Sequence, residues 1–534
     1  MTDPIMSQVK NIVFLMLENR SLDNLLGWLY TPTSIWRCPA APLHVVPSGS
    51  SAAYDGLTLG QYANPDASGT AIPVVPISDE IWSSGYAVPY RDPYEALRAG
   101  NWEDPRDPGD NWSGVMNQFF GNQNIITGLP SESDGKPGMQ GFVQDYTSVS
   151  DGSWQGHDIV WTYTPFQANV INTLALGYAV SDRWFCSVPT ETNPNRAYSI
   201  CATSQGRESN LHWNSQEQFS LPTIFNAIAP RRSWGLYFSD KWVGDQSYTE
   251  YTFKNISDAP NGQIGDLSQF YDLAKAGRLP DFTYLEPSTW TSLWKDGTDY
   301  HPNSHIAPGE EFLKSVYEAV RNGPQWSSTL LMITFDEHGG TYDHVAPPWG
   351  AQNPDGLNGE NGFQFNLFGA RVPTILVSPF AYPSTVFRAP KEDIGNRQYP
   401  FDHTSFVKTL LMWAGVYDAQ SANFGKRMPL AQTFESALAD HVVNDGSVAF
   451  NQGTAITPSA EPPSAAPGHP AGTREQLRNM LSGIPNVPAA TILETSRTAD
   501  DVQAAAQRYA RDPSAFDAWV NANAGGRLST GKPQ

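Results

Sequence analysis

The stretch TLLMITFDEHGGTYDHV, Thr329 to Val345, decides the fold. Leu330 to Phe335 is an unbroken apolar, β-favouring run, the pattern of a strand buried on both faces, as in a parallel sheet. It stops at two adjacent carboxylates, Asp336 and Glu337, followed by Gly339 and Gly340 and then the acid–imidazole pair Asp343 and His344. Open α/β sheets place their sites where buried strands deliver polar groups at their carboxyl ends. Read alone, the stretch fits a strand ending in a solvated turn equally well.

A second stretch repeats the pattern. NIVFLMLENRSLDNLLG carries an apolar run from Asn11 to Leu17 that ends at Glu18 and Asn19. Burying an unpaired carboxylate at such a position is costly unless something binds it. Glu18, Asn19, Asp336 and Glu337 form an oxygen-only set, and such a set suits a hard or borderline divalent cation.

These residues sit in blocks that resemble a known family. ENRSLDNLLG resembles the ENRSFD-type motif of the bacterial and plant phosphoesterase family, which includes non-specific phospholipases C and certain acid phosphatases. ETNPNR (Glu191 to Arg196), DEHGGTYDHV, ARVPTILVSP (Ala370 to Pro379) and YPFDHTSFVKTL (Tyr399 to Leu410) match further blocks in order. The resemblance implies an alkaline-phosphatase-like α/β/α sandwich with a mainly parallel sheet. It also implies a metal-dependent phosphoesterase, with a phospholipase C first and a broad acid phosphatase second. A non-catalytic binding protein on the same fold is a third reading.

The resemblance also distributes roles. Thr192 aligns with the family's Thr or Ser nucleophile, with Thr190 a competing hydroxyl. A turn feeding a helix amino terminus is suited to an anion. His301, His344 and His403 are candidates for proton transfer, and Asp343 for fixing a histidine tautomer. Asn195 and Arg196 shape the nucleophile loop and, with Asn19, Asp110 and Asp240, are candidate substrate contacts. Asp110, in DPRDPGDNW, stands where the family has a histidine. Glu18, Asn19, Asp336 and Glu337 are the candidate ligands of a divalent ion. All-oxygen ligation favours Ca²⁺, with Zn²⁺, Mg²⁺ or Mn²⁺ as alternatives.

Composition bounds the rest. With 17 Trp, 22 Tyr and 25 Phe in 534 residues, the chain has material for a large core. A formal charge of −21 argues against nucleic acid and against electrostatic attachment to anionic lipid. A zwitterionic or cationic head group remains compatible with the phospholipid partner that the resemblance implies, with transient contact at a membrane surface. No run is long enough to span a bilayer. The first residues do not read as a cleaved secretion signal. A cytoplasmic chain is expected, or one exported without a cleaved signal. Cys38, Cys186 and Cys201 fit neither a metal finger nor a disulfide framework.

Strands and helices alternate along the chain. Helices are expected over Phe166 to Leu176, over the stretch containing Phe312, Leu313, Val316, Tyr317 and Val320, and over Ser405 to Trp413. Strands are expected at Tyr178 to Phe185, Leu279 to Pro287 and Val372 to Pro379, and Leu221 to Asp240 reads as helix then strand. Leu29 to Gly138 reads as insertions over the carboxyl edge of the sheet. A catalytic domain over 1–455, a Pro/Ala-rich linker over 456–472 and a helical tail over 473–534 complete the expected organisation.

Overall fold

The apolar runs that announce strands in the sequence form the centre of a nine-stranded sheet. The computed structural model describes residues 5–31, 39, 41–78, 108–121, 129–149, 156–210, 218–242, 245–289, 297–302, 305–390, 393–394 and 397–450. The expected linker and tail, Cys38 and residues 79–107 of the expected insertion lie outside these residues.

The strands are β1 (Asn11–Leu17), β2 (His44–Val46), β3 (Ala179–Ser181), β4 (Trp234–Phe238) and β5 (Gly262–Asp266). β6 (Phe282–Glu286), β7 (Thr329–Phe335), β8 (Thr374–Val377) and β9 (Thr385–Phe387) follow. Their spatial order is β2-β9-β3-β8-β7-β1-β6-β4-β5. Every pairing is parallel except those of β8, which runs antiparallel to both β7 and β3. β1, β4, β6 and β7 are buried at every residue, so both faces of the sheet are covered.

The cover is helical. The helices that matter are α1 (Leu22–Leu26), α2 (Trp112–Phe120), α3 (Phe142–Val149), α4 (Asn169–Gly177) and α5 (Thr192–Cys201). α6 (Ile224–Ile228), α7 (Leu267–Ala276), α8 (Ala307–Asn322) and α9 (His403–Trp413) follow. α9 packs on α5 and α6, and Phe14 of β1 stacks on Phe406 of α9. α8 packs on α7 and α4, and α4 on α1. The apolar stripe expected from Phe312 to Val320 is the buried face of α8. α2 and α3 pack together over a smaller apolar cluster that includes Trp28, Met116, Phe119, Phe142 and Tyr342. This insertion lies against the DEHGG turn, because His338 of that turn meets the rings of Phe119 and Phe142.

Several sequence expectations need correction. Val372 to Pro379 does supply a buried strand, but β8 opposes its neighbours, and burial alone carries no sign of direction. The expected strand Tyr178 to Phe185 shrinks to β3, after which Trp184 and Phe185 make only isolated bridges to Phe401 and Arg371. β2, β5 and β9 were not anticipated. They are short, and β5 (GQIGD) is glycine-bearing and largely exposed. His403 lies inside the first turn of α9, not ahead of it.

Glu310 of α8 ties two layers together. Its carboxylate accepts from the backbone N–H groups of Val170 and Ile171 in the first turn of α4, and from the Tyr300 hydroxyl at 2.6 Å. Burial pushes this carboxyl up to about 7. A carboxyl raised in the folded state favours folding while protonated, and that contribution is lost as pH rises through the folded value. Denaturant unfolding at pH 5 and pH 8 should therefore show the wild type losing on the order of 3 kcal/mol relative to Glu310→Gln over that window. Parallel pH dependence of the two proteins would refute the shift.

Candidate active site

The β1–β7 pairing sets the site. Leu17 lies opposite Phe335, so the residues leaving the two strands, Glu18–Asn19 and Asp336–Glu337, emerge side by side. All four are buried. Asn19 adopts a left-handed backbone, with φ of 58°. Its N–H donates to Asp336 Oδ1 at 3.0 Å, and the Glu337 N–H donates to the same oxygen at 2.8 Å. Gly339, itself at φ 58°, lies so close that a Cβ there would come within 2.2 Å of the Asn19 carbonyl oxygen. The glycine of the turn is therefore required for the two strand ends to meet.

Arg196 stands between the carboxylates. Its Nη2 donates to Glu18 Oε1 and its Nε to Asp336 Oδ2, each at 3.1 Å, with the guanidinium buried. Burial pushes the Glu18 and Asp336 carboxyls upward, against the opposing pull of Arg196. Asn195 spends its whole side-chain amide on its own loop. Its Oδ1 accepts from the Val188 N–H, and its Nδ2 donates to the carbonyls of Val188, Thr190 and Glu191. Asn195 and Arg196 thus hold the loop and the carboxylates, and neither stands as the substrate contact expected of it.

Thr192 is the first residue of α5, and its Oγ1 donates to Asn19 Oδ1 at 3.5 Å. The competing Thr190 hydroxyl is committed to the Glu208 carbonyl. The Asn19 amide donates to Asp110 Oδ2 at 3.2 Å and meets His301 Nε2 at 3.0 Å. His301 Nδ1 faces the Pro302 carbonyl at 3.1 Å, and a carbonyl can only accept. The proton therefore sits on Nδ1, and Nε2 turns a lone pair toward Asn19. Burial holds this imidazole down at about 4. Thr192, Asn19, His301 and Asp110 are thus brought together.

The other expected residues lie differently. His403 Nε2 donates to the Asp336 backbone carbonyl at 2.6 Å, and its Nδ1 accepts from Trp184 Nε1 at 3.4 Å. With its Nε2 on that carbonyl and its Nδ1 on the indole, His403 braces the β7 end. Asp343 and His344 form a second cluster around Arg371. Arg371 Nε donates to Asp343 Oδ1 and Nη2 to Asp23 Oδ1, both at 2.9 Å. His344 Nδ1 meets Asp23 Oδ2 at 2.6 Å, so Asp23 rather than Asp343 fixes this imidazole. Burial disfavours the His344 cation, but Asp23 and Asp55 prevail and raise it to about 9. Asp240 is half-buried beyond β4 and accepts from the Ser288 hydroxyl.

Sequence reading gave no role to Asp299, Asp23 or Arg371. Asp299 is buried beside Glu18, whose N–H donates to its carbonyl at 2.8 Å, and burial pushes its carboxyl up to about 7. Asp299 stands two residues before His301, and Arg371 lies within ARVP, so both were in view as motif positions without an assigned task.

A cation fits the first cluster on charge. Glu18, Asp336 and Glu337 are wholly buried, Asp299 adds a fourth carboxyl, and among the described residues Arg196 is the only cation paired with Glu18 and Asp336. Glu18 Oε2 and Asp299 Oδ2 are buried without a hydrogen-bond partner. Among the described residues, it is Asp23, Asp343 and His344, not the carboxylates of the first cluster, whose ligand atoms all lie within 4.8 Å of one another. There, however, the Arg371 guanidinium already sits on both carboxylates.

The sheet and the clustered hydroxyl, amide, imidazole and carboxylates have the make-up of a hydrolase of phosphoric esters. The Phosphoesterase family pattern matches residues 9–416, and the chain belongs to that family. It is 32% identical to non-specific phospholipase C1 of Arabidopsis thaliana over 442 residues, 81% of this chain and 71% of that one. It is 24% identical to phospholipase C A of Mycobacterium tuberculosis over 524 residues, 90% of this chain and 82% of that one. A crystal structure of an alkaline phosphatase superfamily protein from Vibrio parahaemolyticus aligns with a TM-score of 0.27 at 12% identity, over 46% of this chain and 60% of that one.

Arg371→Met would leave Asp23 and Asp343 buried without their cation. Removing one partner from a buried ion cluster costs about 3–5 kcal/mol. Denaturant titration should show a loss of that size, whereas a loss near zero would mean that the carboxylates find water or shed their charge.

Proposed function

We propose that the chain is a phospholipase C that cleaves a choline- or ethanolamine-bearing phospholipid on the diacylglycerol side of phosphorus, with Thr192 as nucleophile. The observation that carries this reading is Thr192 Oγ1 directed at Asn19 Oδ1, at the start of α5 and beside the buried carboxylates. A helix start favours an anionic phosphoryl group through its unpaired N–H groups and dipole. The bond of the Thr190 hydroxyl to the Glu208 carbonyl supports Thr192 over Thr190 as the nucleophile.

In this mechanism Glu18, Asn19, Asp336 and Glu337 would hold a divalent cation, with Ca²⁺ favoured by the oxygen-only set. Such an ion would supply neutralisation of phosphoryl charge and acidification of a nearby hydroxyl. Thr192 Oγ forms a bond to phosphorus as the bond to the glycerol oxygen breaks, and the released oxygen takes up a proton. His301, neutral with its Nε2 lone pair facing the Asn19 amide, would release that amide, take the Thr192 hydroxyl proton and pass it to the glycerol oxygen. Water then cleaves the phosphothreonine, releasing the phosphorylated head group. Asn19 links these parts, because its amide touches Thr192, His301 and Asp110 at once.

Support for the lipid substrate comes from the relatives, which are named phospholipases C, and from the charge of −21. Asp110 in the site suits a cationic head group better than a second phosphate charge. The head-to-head test is catalytic efficiency on a phosphatidylcholine and on an aryl phosphate monoester. Preference for the monoester by about tenfold, near 1.4 kcal/mol in the transition state, would replace this reading with a phosphatase.

Thr192→Ala should abolish turnover while melting like the wild type. Mass spectrometry of quenched wild-type enzyme should find the phosphoryl adduct on the Thr192 peptide, and an adduct on Thr190 would sink the assignment. Elemental analysis of active protein should find a stoichiometric divalent ion that Asp336→Asn loses.

A further inference from the structure

The insertion that covers the sheet edge reaches the turn below it through one chain of side chains. Asp145, on α3, is buried and accepts from Gln118 Nε2 of α2 at 2.8 Å. The same Nε2 donates to the Gly109 carbonyl. A carbonyl and a carboxylate both accept, so the orientation of the Gln118 amide is settled: Nε2 faces them, and Oε1 faces away. Oε1 meets His338 Nε2 at 2.8 Å. An amide oxygen can only accept, so the His338 proton sits on Nε2. The other ring nitrogen, Nδ1, then faces Glu337 Oε2 at 3.5 Å. His338 has no freedom to turn away. It is wholly buried, with Phe119 and Phe142 against its ring.

We infer that Gln118 and Asp145 are positioning residues for the carboxylate of Glu337, acting through a His338 locked as its Nε2–H tautomer. This rests on the reading of Glu337 as a cation ligand. A locked, unprotonated Nδ1 puts a lone pair beside one carboxylate oxygen. It repels that oxygen from the imidazole and disfavours any rotamer that moves it closer. The Gly339 N–H donates to the same Oε2. The Glu337 carboxylate is thereby held by an attractive neighbour and kept off the imidazole by a repulsive one. α2 and α3 would in this way set how tightly the strand-end carboxylates hold a cation, although neither helix carries a ligand. Groups that orient ligands in this way typically change metal affinity by about 10–100-fold when removed.

The test measures Ca²⁺ affinity of the full chain by competition with a fluorescent chelator, together with the His338 tautomer by ¹⁵N NMR. Gln118→Met keeps the volume and removes all three hydrogen bonds. It should weaken Ca²⁺ binding by about tenfold or more while circular dichroism stays unchanged. Asp145→Asn should weaken binding in the wild-type background and have no further effect in the Gln118→Met background. A folded Gln118→Met with affinity within about threefold of wild type would overturn the inference, as would additive effects in the cycle. Should Gln118→Met fail to fold, the wild-type spectrum decides: an Nδ1–H tautomer of His338 overturns the inference, and an Nε2–H tautomer that becomes mixed in Asp145→Asn supports it. Glu337→Gln tests the underlying reading separately. Wild-type protein that binds no Ca²⁺ and is indifferent to Glu337→Gln refutes the ligand set, while the tautomer measurement still decides the relay.

Discussion

The structure depends on one parallel pairing, that of β1 with β7. Two strands far apart in the chain lie in register from Asn11–Thr329 to Leu17–Phe335. That register converts two unremarkable strand ends into one polar cluster. A slip of one residue would turn every side chain to the opposite face and part the two acidic pairs. The strands are buried on both faces, so their apolar content fixes the register, and the glycines just beyond admit the close approach of Asn19.

The cluster this creates carries more buried negative charge than an apolar interior tolerates unaided. Two arginines answer it in different ways. Arg371 satisfies Asp23 and Asp343 and also binds the carbonyls of Asp55 and Asp182, so the second cluster closes on itself. Arg196 bridges Glu18 and Asp336 but leaves Glu18 Oε2 without a partner and Asp299 beside it. The same family of side chains thus yields a structural knot in one place and a charge-deficient site in the other. Counting cations against carboxylates separates the two more sharply than proximity of ligand atoms does.

Much of this was legible in the residues. The buried strands announced themselves because their apolar runs do not alternate, and their polar ends stood out because polar ends are costly there. Thr192 was legible through the resemblance of ETNPNR to the family's nucleophile block, because a hydroxyl opening a helix is otherwise an ordinary cap. What failed was the assignment of partners. His403 and His344 look equivalent to His301 in sequence, each an imidazole beside an acid. Only three-dimensional packing shows His403 pinned between Trp184 and a carbonyl, and His344 held by Asp23. The direction of β8 was equally hidden, since a strand buried on both faces reads the same in either direction. β2 and β9 left no periodic signal because three residues are too few to show one, and β5, at the sheet edge, is obscured by its glycines and its exposure.

Asn19 shows why the separate motifs must fold together. Its backbone N–H is bound by Asp336 of β7, and its amide is shared among Thr192 of α5, His301 and Asp110 from the insertion. Those contacts come from five separated parts of the chain, counting its own strand. A left-handed φ of 58° at a non-glycine residue costs energy, and such strain persists only where surrounding contacts over-determine it. Here they do, because the backbone twist is what turns the amide of Asn19 outward while its N–H stays on Asp336. An asparagine also tolerates this conformation better than most residues. The strain at Asn19 is therefore the local cost of bringing nucleophile, imidazole and carboxylates onto a single side chain.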